Sequence, residues 1–171
     1  MHTPDSLHAS LAQLNIPFHT HHHAAVFTVA EGEGVTSHLQ GAHIKNLFVK
    51  DKARNFYLIT ALQERTLNLN LLGKHLGAKD RLSFADEPTL LEYLGVTPGS
   101  VSPLALINAQ GGSLRFVLDS GVFTYDTILP HPLINTQTTA LAPHDLLRAI
   151  QSWGHAVEQL DLGLFPRVPS H

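Results

Sequence analysis

The chain has 171 residues, 43% of them hydrophobic and 15% charged, with no cysteine and a formal charge of −3. That length supports one domain with a full core and is short for two, and the lack of cysteine removes disulfides, thiolate metal sites and a cysteine nucleophile. No apolar run reaches the ~18 to 20 residues of a membrane span. The N-terminal "MHTPDSLHASLAQL" has no basic region followed by an apolar block, so a single cytoplasmic domain over 1–171 is expected, with no membrane partner.

Residues 5–15 predict a helix, with Leu7, Leu11 and Leu14 on one face and Asp5 or Ser6 available as N-cap. Pro17 ends it, and "PFHTHHHAAVF" reads as extended. "TVAE" (28–31) has the capping-box pattern and opens a short helix toward Leu39. A strand at 44–50, the polar turn "DKARN" and a strand at 56–62 predict an antiparallel hairpin. "LNLNLLGKHLG" (67–77) is a helix ending at Gly77, and "RLSFA" a short strand. "DEPTLLEYLG" (86–95) is a helix with Asp86 as N-cap and a terminal glycine.

Past the loop "VTPGSVSP", the apolar run "LALIN" reads as a strand, and "LRFVLD" (114–119) as another. "TILPHPLINTQTTAL" supplies two extended pieces split by Pro130 and Pro132. "APHDLLRAIQSWG" (142–154) is a helix and "AVEQLDL" a last strand. The elements mix without strict strand–helix alternation. An α/β domain with a mixed, largely antiparallel sheet and peripheral helices is expected.

Eight of the eleven Lys and Arg residues fall between 45 and 81, a window with three acids, Asp51, Glu64 and Asp80. A basic face there could meet phosphate while the whole chain stays slightly acidic. The loudest local feature is "HTHHH", His19 and His21 to His23. Strand alternation would put His19, His21 and His23 on one face, where they could bind Zn²⁺. Against this, the chain has no HExxH pattern, no nearby acid and no cysteine, and exposed strand histidines are tolerated without a metal. A G-x-S-x-G elbow, a Walker A loop and a strand-led G-x-G-x-x-G are also missing.

Three quieter features combine. Lys45 and Asn46 stand at the head of the strand "IKNLFVK", where Val or Thr would suit a core-feeding strand better. "GVTPGSVSPLALIN" frames a stiff loop between Gly99 and Pro103, whose N–H groups could point at an oxygen ligand. "HPLINTQTT" sets His131 between two prolines, ahead of Asn135 and three threonines.

Together with "RLSFADEPTLLEYL" and "LDSGVFTYDTILP", these stretches resemble the YbaK-like family of aminoacyl-tRNA editing domains, related to the insertion domain of bacterial prolyl-tRNA synthetase. The resemblance runs over about residues 5–162 and is best to the free-standing prolyl-tRNA editing proteins. It implies a mixed-sheet α/β fold and a trans-acting deacylase that cleaves the ester between a wrong amino acid and the 3′ adenosine of tRNA, without metal or other cofactor. It carries the family lysine onto Lys45, followed by Asn46, the G-x-x-x-P loop onto Gly99 to Pro103, and the family histidine onto His131.

The expected substrate is alanine on tRNA(Pro), held by its acceptor end, with prolyl-tRNA synthetase as a possible partner and no DNA. Other branches of the family remove cysteine or serine, and a non-catalytic module binding tRNA or a synthetase is the reading from another class. In the expected site, Lys45 would hold a phosphate or ester oxygen, the Gly99 loop the developing oxyanion, and His131 the substrate amine or the attacking water. Asn46, Ser100, Val101, Ser102 and Pro103 are expected contacts, and Val29, Phe48 and Ile59 the apolar wall of a pocket small enough to exclude proline.

Overall fold

The computed structural model describes residues 1–25 and 28–168, and for 29 and 31–33 the backbone only. Helix α1 (Pro4–Gln13) starts one residue earlier than the expected 5–15, because Thr3 caps it: its hydroxyl accepts from Ser6 N–H while Ser6 Oγ accepts from Thr3 N–H. Asp5 and Ser6 therefore lie inside the first turn. Strand β1 (Phe18–His22) and helix α2 (Val29–Thr36) follow.

The hairpin β2 (Ile44–Lys50) and β3 (Phe56–Leu62) forms with the expected limits and pairs antiparallel. Helix α3 (Leu69–Leu76) ends on left-handed Gly77, short β4 (Ser83–Phe84) follows, and α4 (Glu87–Leu94) is capped by Asp86 and ended by left-handed Gly95. Strand β5 (Arg115–Asp119), β6 (Gln137–Leu141), α5 (Pro143–Ser152) and β7 (Val157–Leu160) complete the set. "LALIN" is not a strand. It belongs to a 3-10 helix, Pro103–Asn108, begun by Ser102, whose hydroxyl accepts from Leu104 N–H.

The main sheet has the order β4-β2-β3-β5-β7, antiparallel on the β4 side of β3 and parallel from β3 through β7. β1 and β6 make a separate antiparallel pair. Every residue of central β3 is buried, and its alternating side chains feed two cores. Phe56, Leu58 and Leu62 join Phe48, Phe116, α1, α4 and α5 on one face, while Tyr57, Ile59 and Ala61 join Val49, Val117 and α3 on the other. Because β4 pairs only with Val49 and Lys50, the outer edge of β2 has no strand partner from Ile44 to Leu47 among the described residues.

Candidate active site

That open edge borders a cleft of about 300 Å³. Its lining includes Ile44 to Leu47 of β2 with His43 before them, the loop carrying Pro98, Gly99 and Val101, and a third segment bearing Leu129, His131 and Thr138, with Thr36 and Leu39 from the end of α2 and beyond. The third segment is delivered by backbone pairing. Ala42 N–H donates to Thr127 O at 2.7 Å and Leu129 N–H to Ala42 O at 3.2 Å, while Ile128 and Leu141 exchange bonds on the other side. Gly41 permits this approach, since it sits at φ +143° and a Cβ there would stand 2.8 Å from the Thr127 carbonyl. The strip from Thr127 to Leu129 thus ties the start of β2 to β6 and carries His131 to the cleft.

Lys45 is half-buried, and its Nζ donates to the carbonyl oxygen of Arg65, just past the end of β3. Burial lowers its pKa from the ordinary 10.5, and Glu64 offsets part of that. Asn46, on the other face of β2, accepts from the buried Thr60 hydroxyl through Oδ1 at 2.7 Å, so its NH₂ group is the half turned to other partners. Gly99 lies in a 3-10 turn, Pro98–Ser100, begun by Thr97. Pro98 has no N–H and Ser100 N–H is used on Thr97 O, so among the described residues the Gly99 N–H is the donor of that turn with no backbone acceptor.

His131 donates from Nδ1 to Gln137 O at 2.8 Å, so its Nε2 keeps a lone pair. Burial lowers its pKa from 6.5, the Gln137 bond works the other way, and the ring of His23, 6.1 Å away, adds to the lowering.

The cleft unites Lys45, Asn46, Gly99, Val101 and His131. Other expected contacts lie elsewhere. Ser100 and Ser102 are buried, Ser102 capping the following 3-10 helix, and Pro103 is buried in that helix. Phe48 stacks on Phe56 with ring centroids 5.6 Å apart, inside the first core. Ile59 is fully buried in the second core, against α3. The expected apolar wall placed these two wrongly, because strand alternation points them inward. Val29 begins α2, and its side chain lies outside the described residues. The apolar lining of the cleft is instead Leu39, Ile44, Leu47, Pro98, Val101 and Leu129.

Residue reasoning also passed over His43 and Thr138. His43 donates from Nε2 to Leu39 O at 2.8 Å, and Thr138 Oγ1 lies 2.8 Å from His23 Nε2. Their signal was adjacency: one lies two residues before Lys45 and the other in the "NTQTT" stretch. His19 and His21 share a face of β1, with ring centroids 4.5 Å apart, but both ring nitrogens of His23 are engaged, by Ala24 O and Thr138 Oγ1. Among the described residues, no group of three or more histidines and carboxylates could hold a metal ion. No described helix is long and apolar enough to cross a membrane.

Residues 23–149, which span the whole cleft, match the family model of the aminoacyl-tRNA editing domain. The chain belongs to that family. Among other editing-domain relatives, it is 42% identical over 154 residues to the prolyl-tRNA synthetase associated domain-containing protein 1 of Bos taurus, covering 88% of this chain and 90% of that one. It is 30% identical over 155 residues to the prolyl-tRNA editing protein ProX of Acetoanaerobium sticklandii, covering 90% and 94%. A solved structure of a candidate trans-editing enzyme for prolyl-tRNA synthetase matches with a TM-score of 0.68 at 16% identity, over 94% of this chain and 98% of that one. The TM-score shows a shared fold, the mixed α/β architecture described above.

Proposed function

We propose that this editing domain is a trans-acting deacylase that hydrolyses mischarged tRNA(Pro), with alanine as the acyl group it removes. The observation that carries the reading is the convergence of Lys45, Gly99 and His131 on one cleft of about 300 Å³. The name of its ProX relative and the family match support the substrate class.

The ester is activated by the neighbouring ribose hydroxyl, so no covalent nucleophile is needed. Water adds to the ester carbon, the carbonyl oxygen becomes an oxyanion, and collapse breaks the bond to the ribose oxygen, which takes up the proton lost by the water. The Gly99 N–H faces the developing oxyanion. The Lys45 ammonium holds a phosphate or the ester oxygen, and the Asn46 NH₂ offers donors to the cleft from the other face of β2. The Nε2 lone pair of His131 accepts from the substrate α-ammonium or orients the water. Leu39, Val101 and Leu129 are apolar members of the cleft lining, and in this reading they form the acyl pocket that admits a methyl side chain and rejects a pyrrolidine ring. A second, smaller sieve is needed because a synthetic site built for proline loses only about 1–3 kcal/mol per missing methylene when it binds alanine.

Hydrolysis of Ala-, Ser-, Cys- and Pro-tRNA(Pro) by the purified chain tests the proposal. Fast release of alanine with Pro-tRNA(Pro) spared is the expected result. Preference for serine or cysteine would reassign the acyl group, and tight tRNA binding with no hydrolysis of any of them would replace the enzyme by a binding module. Affinity should fall as salt rises, since phosphate contacts release counterions.

A further inference from the structure

The hexapeptide LDSGVF closes β5 and LDLGLF closes β7, and these strands are parallel neighbours. In each, the aspartate accepts from the N–H of the glycine two residues on: Gly121 to Asp119 Oδ1 at 3.0 Å, and Gly163 to Asp161 Oδ1 at 2.9 Å. Both carboxylates then meet one guanidinium. Arg65 Nε donates to Asp119 Oδ2 at 3.0 Å, and Arg65 Nη2 lies 3.4 Å from Asp119 Oδ1 and 3.6 Å from Asp161 Oδ1. The glycines make the space: a Cβ at Gly121 would stand 2.8 Å from Arg65 Nη2, and one at Gly163 would stand 2.6 Å from Nη1.

This is more than a surface ion pair, which would contribute little. Asp119 is fully buried and also accepts from Leu62 N–H at 3.0 Å, while Arg65 N–H donates to Leu62 O at 3.0 Å. One carboxylate therefore pins both ends of the turn from Leu62 to Arg65. What the turn holds still is the Arg65 carbonyl, the acceptor of the Lys45 ammonium.

We propose that Arg65, seated between twin Asp-x-Gly hooks, is a positioning residue that aims Lys45 into the cleft. The inference rests on the reading of Lys45 as the substrate anchor. A lysine head is a point charge with three donors on a flexible four-carbon stem. Tethering one donor to a fixed carbonyl restricts that stem and leaves two N–H groups for substrate. Rate should suffer more than affinity when the tether shifts, because misplacement of a reacting group is felt mainly in the transition state.

The test is a double-mutant cycle on single-turnover hydrolysis of Ala-tRNA(Pro), with Lys45→Ala, Arg65→Lys and the pair. Arg65→Lys keeps the charge but loses the two-pronged fit to Asp119. Its rate constant should fall about tenfold with affinity for tRNA changed by less than about twofold, and it should add nothing further in the Lys45→Ala background. Effects that multiply would overturn the proposal, because Arg65 would then act independently of Lys45. Gly163→Ala is the second variant: it crowds the guanidinium while leaving Asp119 and the Arg65 backbone untouched, and it should show the same dependence on Lys45. A wild-type rate for folded Gly163→Ala and Arg65→Lys would also overturn it.

In lysine-labelled protein, the ¹⁵Nζ resonance that disappears in Lys45→Ala should move in both variants, without substrate present. Loss of rate with that resonance unmoved would overturn the positioning role. A wild-type rate for Lys45→Ala alone would remove the reading of Lys45 itself, and the positioning role with it, a result distinct from every other arm.

Discussion

His131 donates from Nδ1 to the carbonyl oxygen of Gln137 at 2.8 Å, and that bond decides which ring nitrogen is available. A carbonyl only accepts, so the neutral ring carries its proton on Nδ1 and keeps Nε2 as an acceptor. His131→Ala should slow alanine release by about 10²-fold or more, within the range of a lost acid–base or water-orienting group. Equal rates for variant and wild type would reduce His131 to packing.

The same imidazole sets a pH dependence. Burial lowers its pKa from 6.5, so activity that needs neutral Nε2 should persist through neutral pH and fall only as pH drops below 6.5. The stability term has the same sign: the unfolded ring binds a proton more readily, so this contribution is whole above the unfolded pKa and drains as pH falls through the lower folded one. A rate profile whose acid limb sits above 6.5, and which survives in Asn or Gln variants at position 131, would contradict the assignment.

Lys45→Ala should lower the single-turnover rate by about 10²-fold or more, the scale of losing one electrostatic contact to developing charge. Its thermal midpoint should stay close to wild type, because the ammonium is tied to a carbonyl at an open strand edge rather than to a buried acid. Collapse of the fold, seen by circular dichroism, would make Lys45 structural instead.

Leu129 lines the cleft and is buried, so Leu129→Ala should widen the acyl pocket. Discrimination between Ala-tRNA(Pro) and Pro-tRNA(Pro) should shrink about tenfold or more, since a few methylenes separate the two sieves. Competition between the two charged tRNAs reads the ratio, and an unchanged ratio would take Leu129 out of the acyl pocket.

Asp51 offers a control outside the site. Burial opposes its ionisation, but hydrogen bonds from Asn55, Lys79 and Ala53 outweigh this and hold its pKa at about 2. Asp51→Ala strips partners from Asn55 N–H, Asn55 Nδ2 and Lys79 N–H, and should cost about 2–3 kcal/mol of stability in a denaturant titration. The catalytic rate at saturating substrate should not change. The wild-type contribution is present above pH 3.8 and is lost as pH falls through about 2.

Features written in neighbouring residues are legible in the sequence. The hairpin at 44–50 and 56–62, the Asp86 cap and the glycine stops at 77 and 95 depend on chemistry within a few positions. "LALIN" departs from the strand expectation because a short apolar run buried on all sides has no helical or strand period to detect, and Ser102 with Pro103 tips it into a 3-10 helix. Phe48 and Ile59 look suited to a pocket wall for a related reason: alternation says that neighbours part, not which side holds the cleft.

Residue order alone determines most of the local elements and the family pattern, and it supplies the side chains on which the proposed ester hydrolysis rests. It took the folded chain to bring Lys45, Gly99 and His131 to one cleft and to stand Arg65 behind Lys45. Those meetings follow from where β4 stops short along β2, from the Thr127–Leu129 strip bridging β2 to β6, and from β5 and β7 ending side by side. Each depends on burying both faces of β3 at once, a condition on the whole chain that no short window of residues contains.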